Sequence, residues 1–429
     1  MASPLQTVLV ISHGHPSIRP GGGENAAFAL HQELRSCEGV HSIFLAAAPS
    51  DYFSKDQDLI CYDFESEDWL VKATVDGWTF QSACSLFIGD SLHQFVQRLQ
   101  PDVVSVHQIM HVGIDLILKL REWCPQARIV YTLHEFLLIC PSNGQLRNSE
   151  GVHCCGPVST GCPQCLPTKT SDQHLLRQLR IQMLLEVIDH FISPSFVVRD
   201  KFVERGIQRH KISIVPNLLP EQLRSLSPIS SAQDEELTTV FGFFGNCTEP
   251  KGLDLLLEAL LQLVHLQLNA KLIVHGPVQA VLEQGLPRND PYAMKLKELL
   301  VCLEENVVLA GPYQQQELPS LMQEVGWVVM ASRWLENAPV VIQEALACRR
   351  PLLVPAFGGM AEHVRNGLDG LHFAPESASS LRDVMAQVCS NPEIWIDMMD
   401  SLAQPLSTET ALKGHLDVFG IKTSNSQIT

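Results

Sequence analysis

Apolar residues in this chain fall in short runs, separated by longer stretches with helical spacing. Val8–Ser12, Ser42–Ala47, Val103–His107, Ile129–Leu133 and Phe191–Ser193 read as buried strands. Glu24–Leu34, Ile114–Glu122 and Leu175–Glu186 read as helices between them. The pattern then loosens into PNLLPEQLRSLSPISSAQDEE, which has three prolines, several serines and an acidic end. We read residues 217–238 as a linker. A second alternation follows, with strands Phe241–Gly245, Leu272–His275, Val307–Leu309, Val328–Met330 and Leu352–Val354 and an amphipathic helix Gly252–Leu266. This predicts an α/β protein with two doubly wound, Rossmann-like domains, 1–216 and 239–395, facing each other across a ligand-binding cleft. A helical tail, 396–429, ends in the polar KTSNSQIT.

Composition narrows the partners. A length of 429 residues suits two cores, and 45% hydrophobic with 18% charged residues suits a globular chain. The formal net charge of -17 argues against nucleic acid and gives no polybasic patch for anionic lipid. No apolar run approaches the ~18 residues of a membrane span. The opening MASPLQTVLVISHGHP reads as a first strand rather than a signal peptide. Thirteen scattered cysteines, an odd number, fit a reducing cytoplasm better than a disulfide scaffold.

Three stretches carry candidate chemistry. In SRWLENAPVVIQEAL, Asn337 is the expected N-cap of a helix with Pro339 in its first turn. Glu336 then stands before the helix and Glu344 on its second turn, both outside the core. Backbone N–H groups at the helix start suit a phosphate, and two carboxylates suit sugar hydroxyls. His13–Gly23 reads as a loop whose Gly21, Gly22 and Gly23 let a ligand approach the backbone. His134 ends the strand of TLHEF, where a side chain points toward the ligand side of an open sheet. His13, His15, His107 and His111 read as structural.

ENAPVVIQEALACRRPLLVPAFGGMAEHVRNGLDG resembles the donor-site segment of family-4 retaining glycosyltransferases, which have the GT-B fold. FGFFGNCTEPKGLDLLLEAL is similar to that family's FxGR-x4-KG element, and TLHEF to its H-[DE] element. The likeness runs from Val8 to about Phe373. It implies that Lys251, Gly22, Gly23, Gly358, Gly359 and the amides of Asn337 and Ala338 bind the donor diphosphate and sugar. It implies that Glu344 accepts hydrogen bonds from the ribose and Glu336 from the sugar, and that His134 lies beside the reacting carbon. Two positions depart from the pattern. Asn246 stands where the family has arginine, and Gly326 where aspartate is common. Asparagine can bond a phosphate but supplies neither charge nor a bidentate fork.

Five cysteines lie between Cys140 and Cys165. Cys162 and Cys165 form C-P-Q-C, a spacing that lets two thiolates grip one metal ion. Cys140 and either Cys154 or Cys155 complete a candidate zinc set, with His153 as a substitute ligand. A subset of the family resembles this insert and implies Cys140, Cys154, Cys162 and Cys165 as a structural site. The chemistry itself needs no cofactor.

The combined expectation is a retaining transferase that moves a hexose-type sugar from a nucleotide diphosphate sugar to a hydroxyl acceptor. That acceptor is a glycan, a lipid-linked sugar or a small molecule. The expected location is the cytoplasm, with visits to a membrane surface. The competing readings are an epimerase or phosphorylase of the same fold, or a non-catalytic sugar-nucleotide-binding protein.

Overall fold

A computed structural model describes residues 5–19, 21–55, 57–82, 90–148, 150–154, 162–219, 223, 235–404 and 407–422. It divides into two compact units, Met1–Pro220 with Ser407–Thr429, and Glu221–Leu406.

The first unit is built on β1 (Gln6–Ser12), β2 (Val40–Ala48), β3 (Leu59–Asp63), β4 (Asp68–Lys72), β5 (Val103–Val106), β6 (Arg128–Thr132), β7 (His190–Ser193) and β8 (Ile212–Ile214). Their order is β3-β4-β2-β1-β5-β6-β7-β8, parallel except for the β3–β4 pair. The strands the apolar runs predicted are all here, within two residues at each end. The β3–β4 hairpin was not foreseen, because β3 is a half-exposed edge with little apolar signal. β1 lies between β2 and β5, so the chain winds outward in both directions from this point. The terminal helix Thr408–Phe419 belongs to this unit, where Ala411, Leu412, Leu416 and Phe419 join the core of Val10, Val130 and Ile192.

The second unit has β9 (Val240–Phe244), β10 (Lys271–His275), β11 (Val307–Leu309), β12 (Trp327–Val329), β13 (Leu352–Pro355) and β14 (Gly370–Phe373). The order is β11-β10-β9-β12-β13-β14, all parallel, with the winding reversing between β9 and β12. The helix Leu253–His265 presents Leu253, Leu256, Leu257, Leu260 and Leu263 to the sheet, every one fully buried. Trp395 closes the far side, its indole N–H donating to the Gly326 carbonyl at 2.8 Å. A Cβ at position 326 would stand 2.0 Å from the Leu237 carbonyl oxygen, so this packing leaves no room for the family's aspartate. Most of the expected linker 217–238 lies outside the described residues.

Two local expectations are corrected. Gly22 and Gly23 are the first helical residues of Gly22–Arg35, not loop, because the chain turns into the helix at Gly21. The helix after Glu336 starts at Val340, with Pro339 as its extended N-terminal neighbour and no side-chain cap. Asn337 is therefore not the N-cap. Contacts to neighbouring loops, described below, hold that segment instead.

Candidate active site

In a parallel sheet, loops leaving the carboxyl ends on either side of a winding reversal splay apart and leave room for a ligand. In the second unit those loops are 245–252, after β9, and 330–339, after β12. They are stitched together at four places. The Arg333 N–H donates to the Pro250 carbonyl at 2.8 Å. The Arg333 guanidinium forks onto the buried Asp254 carboxylate, at 2.6 and 2.7 Å, and Lys295 adds a third contact at 2.7 Å. Gly252 lies so close to Ala331 that a Cβ would sit 1.9 Å from its carbonyl oxygen. Finally, Lys251 Nζ meets Glu336 Oε1 at 2.6 Å, and the Ser332 hydroxyl donates to the same oxygen at 2.8 Å.

A third loop joins from β13. The Gly359 N–H donates to the Glu336 carbonyl at 2.7 Å, and a Cβ on Gly359 would stand 1.6 Å from the Asn337 carbonyl oxygen. Only glycine allows that approach. Gly359 thus spends its amide on holding the Glu336 loop, and Gly358 beside it takes a left-handed conformation, φ +62°. Asn246 is exposed between β9 and Lys251.

Both glutamates are buried, at 6% exposure for Glu336 and 5% for Glu344, which corrects the expectation that neither belongs to the interior. The close approach of the three loops encloses Glu336. Glu344 points inward from its helix and accepts from the Gln315 side chain at 2.8 Å. Burial pushes its carboxyl up to about 7, with the Gln315 bond acting the other way. Arg333, Asp254, Ser332 and Gln315 were invisible as site residues, because each acts through a partner at least four and mostly tens of residues away.

The first unit gathers a second group at its own reversal point. His13 follows β1, His107 follows β5 and His134 follows β6. His107 Nδ1 and His134 Nε2 are 2.9 Å apart, and His107 Nε2 meets the Ser105 hydroxyl at 3.2 Å. His13 Nε2 pairs with Glu24 Oε1 at 2.7 Å, and its ring stacks on His111. A Cβ on Gly23 would touch both His13 and His134, at 3.8 Å. The glycines, His134 and three histidines read as structural therefore share one neighbourhood. Burial, then the charges of His13 and His415, lower His134 to about 3. His134 is neutral at physiological pH and serves as a hydrogen-bonding group. Burial likewise raises the adjacent Glu135 to about 7.

Residues 155–161, with Cys155, lie outside the described residues. Cys140, Cys162 and Cys165 are free thiols. They stand near enough to act on one another: burial, then the charges of Cys140, Cys154 and Cys165, raises Cys162 to about 11. A short two-stranded turn links Arg147 with His153, and the Cys154 N–H donates to the Leu146 carbonyl at 2.7 Å. The donor set suits zinc in kind and number. Their spacing does not yet close on a point, since among the described residues no three His, Cys, Asp or Glu side chains form a group able to hold a metal ion.

Comparison with known proteins places this geometry. The profile of the glycosyltransferase family 4 matches residues 20–222, and that of glycosyl transferases group 1 matches residues 230–403. The chain belongs to the family-4 glycosyltransferases. Its fold is GT-B. A lipopolysaccharide 1,2-N-acetylglucosaminetransferase of Salmonella typhimurium is 28% identical over 205 residues, 44% of this chain and 50% of that protein. An alpha-D-kanosaminyltransferase of Streptomyces kanamyceticus is 22% identical over 38% of this chain and 39% of that one. These matches thus span half or less of those relatives. Among solved structures, Anabaena HepE in complex with UDP and glucose superposes with a TM-score of 0.64 at 15% identity, covering 97% of this chain and 99% of that one. A sucrose-phosphate synthase from Thermosynechococcus elongatus gives 0.63 at 16% identity, with 96% and 95% covered. Against the family-4 pattern, the glutamate pair and Lys251 are kept, and Asn246 and Gly326 depart from it.

Proposed function

We propose that this chain is a retaining glycosyltransferase that moves a hexose-type sugar from a nucleotide diphosphate sugar, of the UDP-sugar kind, to a hydroxyl acceptor. The observation that carries this reading is the convergence of Lys251, Glu336 and the Gly358–Gly359 turn at the winding reversal of the second sheet, with Glu344 buried on the following helix. Glu344 accepts the ribose hydroxyls. Glu336 accepts a sugar hydroxyl. Lys251 moves from Glu336 to the diphosphate and offsets the charge that builds on it as the glycosidic bond breaks. Asn246 adds a neutral bond to the same phosphates, and Asn337, Ala338 and Gly358 shape the turn around the sugar. In the first unit, Gly22 and Gly23 offer helix-start amides, and neutral His134 positions the reacting groups.

HepE is described in complex with UDP and with glucose, which supports a uridine nucleotide as the first donor to try. The test is a thermal-shift panel of nucleotide sugars, followed by product analysis of the hit with glycan, lipid-linked and small hydroxyl acceptors. Retention requires the new bond to keep the donor's anomeric configuration by NMR. Inverted product rejects retention, and donor binding without transfer or hydrolysis rejects the enzyme.

We further propose that Cys140, Cys154, Cys162 and Cys165 close on a structural zinc ion that orders the insert after His134. The support is the mutual proximity of four thiols, together with burial that disfavours ionisation of Cys140 and Cys162 unless a cation compensates.

A further inference from the structure

In the second unit the indole N–H groups of Trp327 and Trp395 donate to backbone carbonyls, at 3.1 and 2.8 Å. Trp334 differs. Its Nε1 is buried and has no hydrogen-bond partner among the described residues. A buried donor left unmade costs free energy, so a native chain rarely keeps one without a use. Trp123 of the first unit shares the lack, but it ends the helix Ile114–Trp123, which returns to the amino edge of its sheet. Trp334 lies instead on the loop that leaves the carboxyl end of β12, at the winding reversal.

Both chain neighbours of Trp334 are fixed. Arg333 forks onto Asp254, and its backbone N–H donates to the Pro250 carbonyl. Leu335 packs on Gly358, where an added Cβ would stand 3.0 Å from the leucine Cδ1. The indole is therefore held by its loop on both sides. Lys251 Nζ lies over its ring, 5.1 Å from the centroid, within the reach of a cation–π contact. The same ammonium bonds Glu336 at 2.6 Å. Lys251 thus touches the buried carboxylate and the indole together, and its departure for a diphosphate uncovers both.

Chemistry selects what the N–H then meets. An indole N–H only donates, so its partner is an acceptor. The sugar and ribose hydroxyls are served by Glu336 and Glu344, which accept from them. Ionised phosphate oxygens only accept, and the loop 245–252 offers them one cation, Lys251, with neutral Asn246 beside it. A donor on the facing loop makes up part of that shortage. We propose that Trp334 is a donor-binding residue: once Lys251 leaves its ring for the diphosphate, the indole N–H donates to a diphosphate oxygen. This rests on the nucleotide diphosphate sugar of the proposed function and assigns it a further contact.

The test is calorimetry of the full chain with UDP, GDP and ADP, with inorganic pyrophosphate as the base-free probe and the parent nucleoside as the phosphate-free one. Trp334→Phe keeps an aromatic face for Lys251 and removes only the N–H donor and the second ring. It should weaken the preferred nucleoside diphosphate about tenfold or more, and leave the parent nucleoside unchanged. The lost donor is neutral, so the salt dependence of binding should stay that of the wild type, whereas Lys251→Ala should flatten it. In the wild-type protein the Trp334 indole resonance, assigned by its absence from the variant, should move downfield with the nucleoside diphosphate and stay in place with the nucleoside. If Trp334→Phe does not fold, Trp334→Tyr supplies the assignment and the wild-type spectrum decides. An indole resonance that ignores a bound nucleoside diphosphate overturns the contact, as does unchanged affinity in folded Trp334→Phe. Equal losses for nucleoside and diphosphate place the N–H on the nucleoside and overturn the phosphate assignment. A salt dependence flattened as in Lys251→Ala shows that Trp334 acts through the lysine alone, and also overturns it. A wild-type protein that binds none of the nucleoside diphosphates overturns the proposed donor together with this contact, so the two failures are told apart.

Discussion

Lys251 Nζ lies 2.6 Å from Glu336 Oε1, although 85 residues separate the two in sequence. The lysine head is part exposed and the carboxylate is buried, so the pair stands at the edge of the interior. A diphosphate that draws Lys251 away leaves Glu336 without its cation at the moment the sugar hydroxyl arrives to bond it. Under the proposed function, the pair would couple phosphate binding to sugar binding.

Substitution of each partner separates these roles. Lys251→Ala leaves a buried carboxylate with only the Ser332 hydroxyl, and should cost about 1–2 kcal/mol of stability in denaturant unfolding. It should also weaken binding of the donor. Glu336→Gln keeps the volume and a hydrogen-bonding side chain, so the fold should hold while kcat falls about 100-fold or more. Full activity in folded Glu336→Gln would remove this carboxylate from the chemistry.

Glu344 predicts a pH dependence. Burial raises its carboxyl from 4.5 to about 7, so folding favours the protonated form. That contribution to stability is fully present below pH 4.5 and is lost as pH rises through about 7. Ribose hydroxyls need the ionised form as acceptor. Donor affinity should therefore rise from about pH 6 to about pH 8, and Glu344→Gln should flatten the rise. Calorimetry across that range checks it, and a flat wild-type profile refutes the ribose assignment.

Asn246 is exposed on the loop that leads to Lys251, so an arginine fits there without disturbing the core. Asn246→Arg restores the charge that family 4 carries. The donor should bind about tenfold more tightly, with a steeper salt dependence. Unchanged affinity at two salt concentrations means position 246 faces away from the phosphates.

Gly359→Ala tests the loop packing. Its Cβ would overlap the Asn337 carbonyl, so the loops after β12 and β13 must separate. A loss of about 2–4 kcal/mol in the second unit is expected, together with loss of donor binding. An alanine variant of native stability would show that the two loops are not held in contact in solution.

The cysteine insert predicts about one zinc per chain after purification under reducing conditions. Chelation should expose the thiols and melt the segment around Cys140–Cys165 while leaving donor binding in place. Free alkylation of all five thiols with no bound metal rejects the site.

Strand and helix identity was local information. Runs such as Val103–Val106 and Leu352–Pro355 are buried on both faces of a parallel sheet, and that requires unbroken apolar sequence. His134 was legible as a candidate because it ends a strand, and Glu336 and Glu344 because they bracket a predicted helix start, whereas Lys251 came from the family resemblance. What the sequence could not carry was the set of partners. Lys251 with Glu336, Arg333 with Asp254 and Gly359 with Asn337 are pairings across strands whose order, β9 beside β12 beside β13, no local pattern encodes. Burial of the two glutamates is likewise a property of three loops meeting, and it sets the titration of Glu344. Composition showed an acidic chain, and only the fold brought His107 beside His134, because side chains far apart in sequence meet only once the sheet has fixed its strand order.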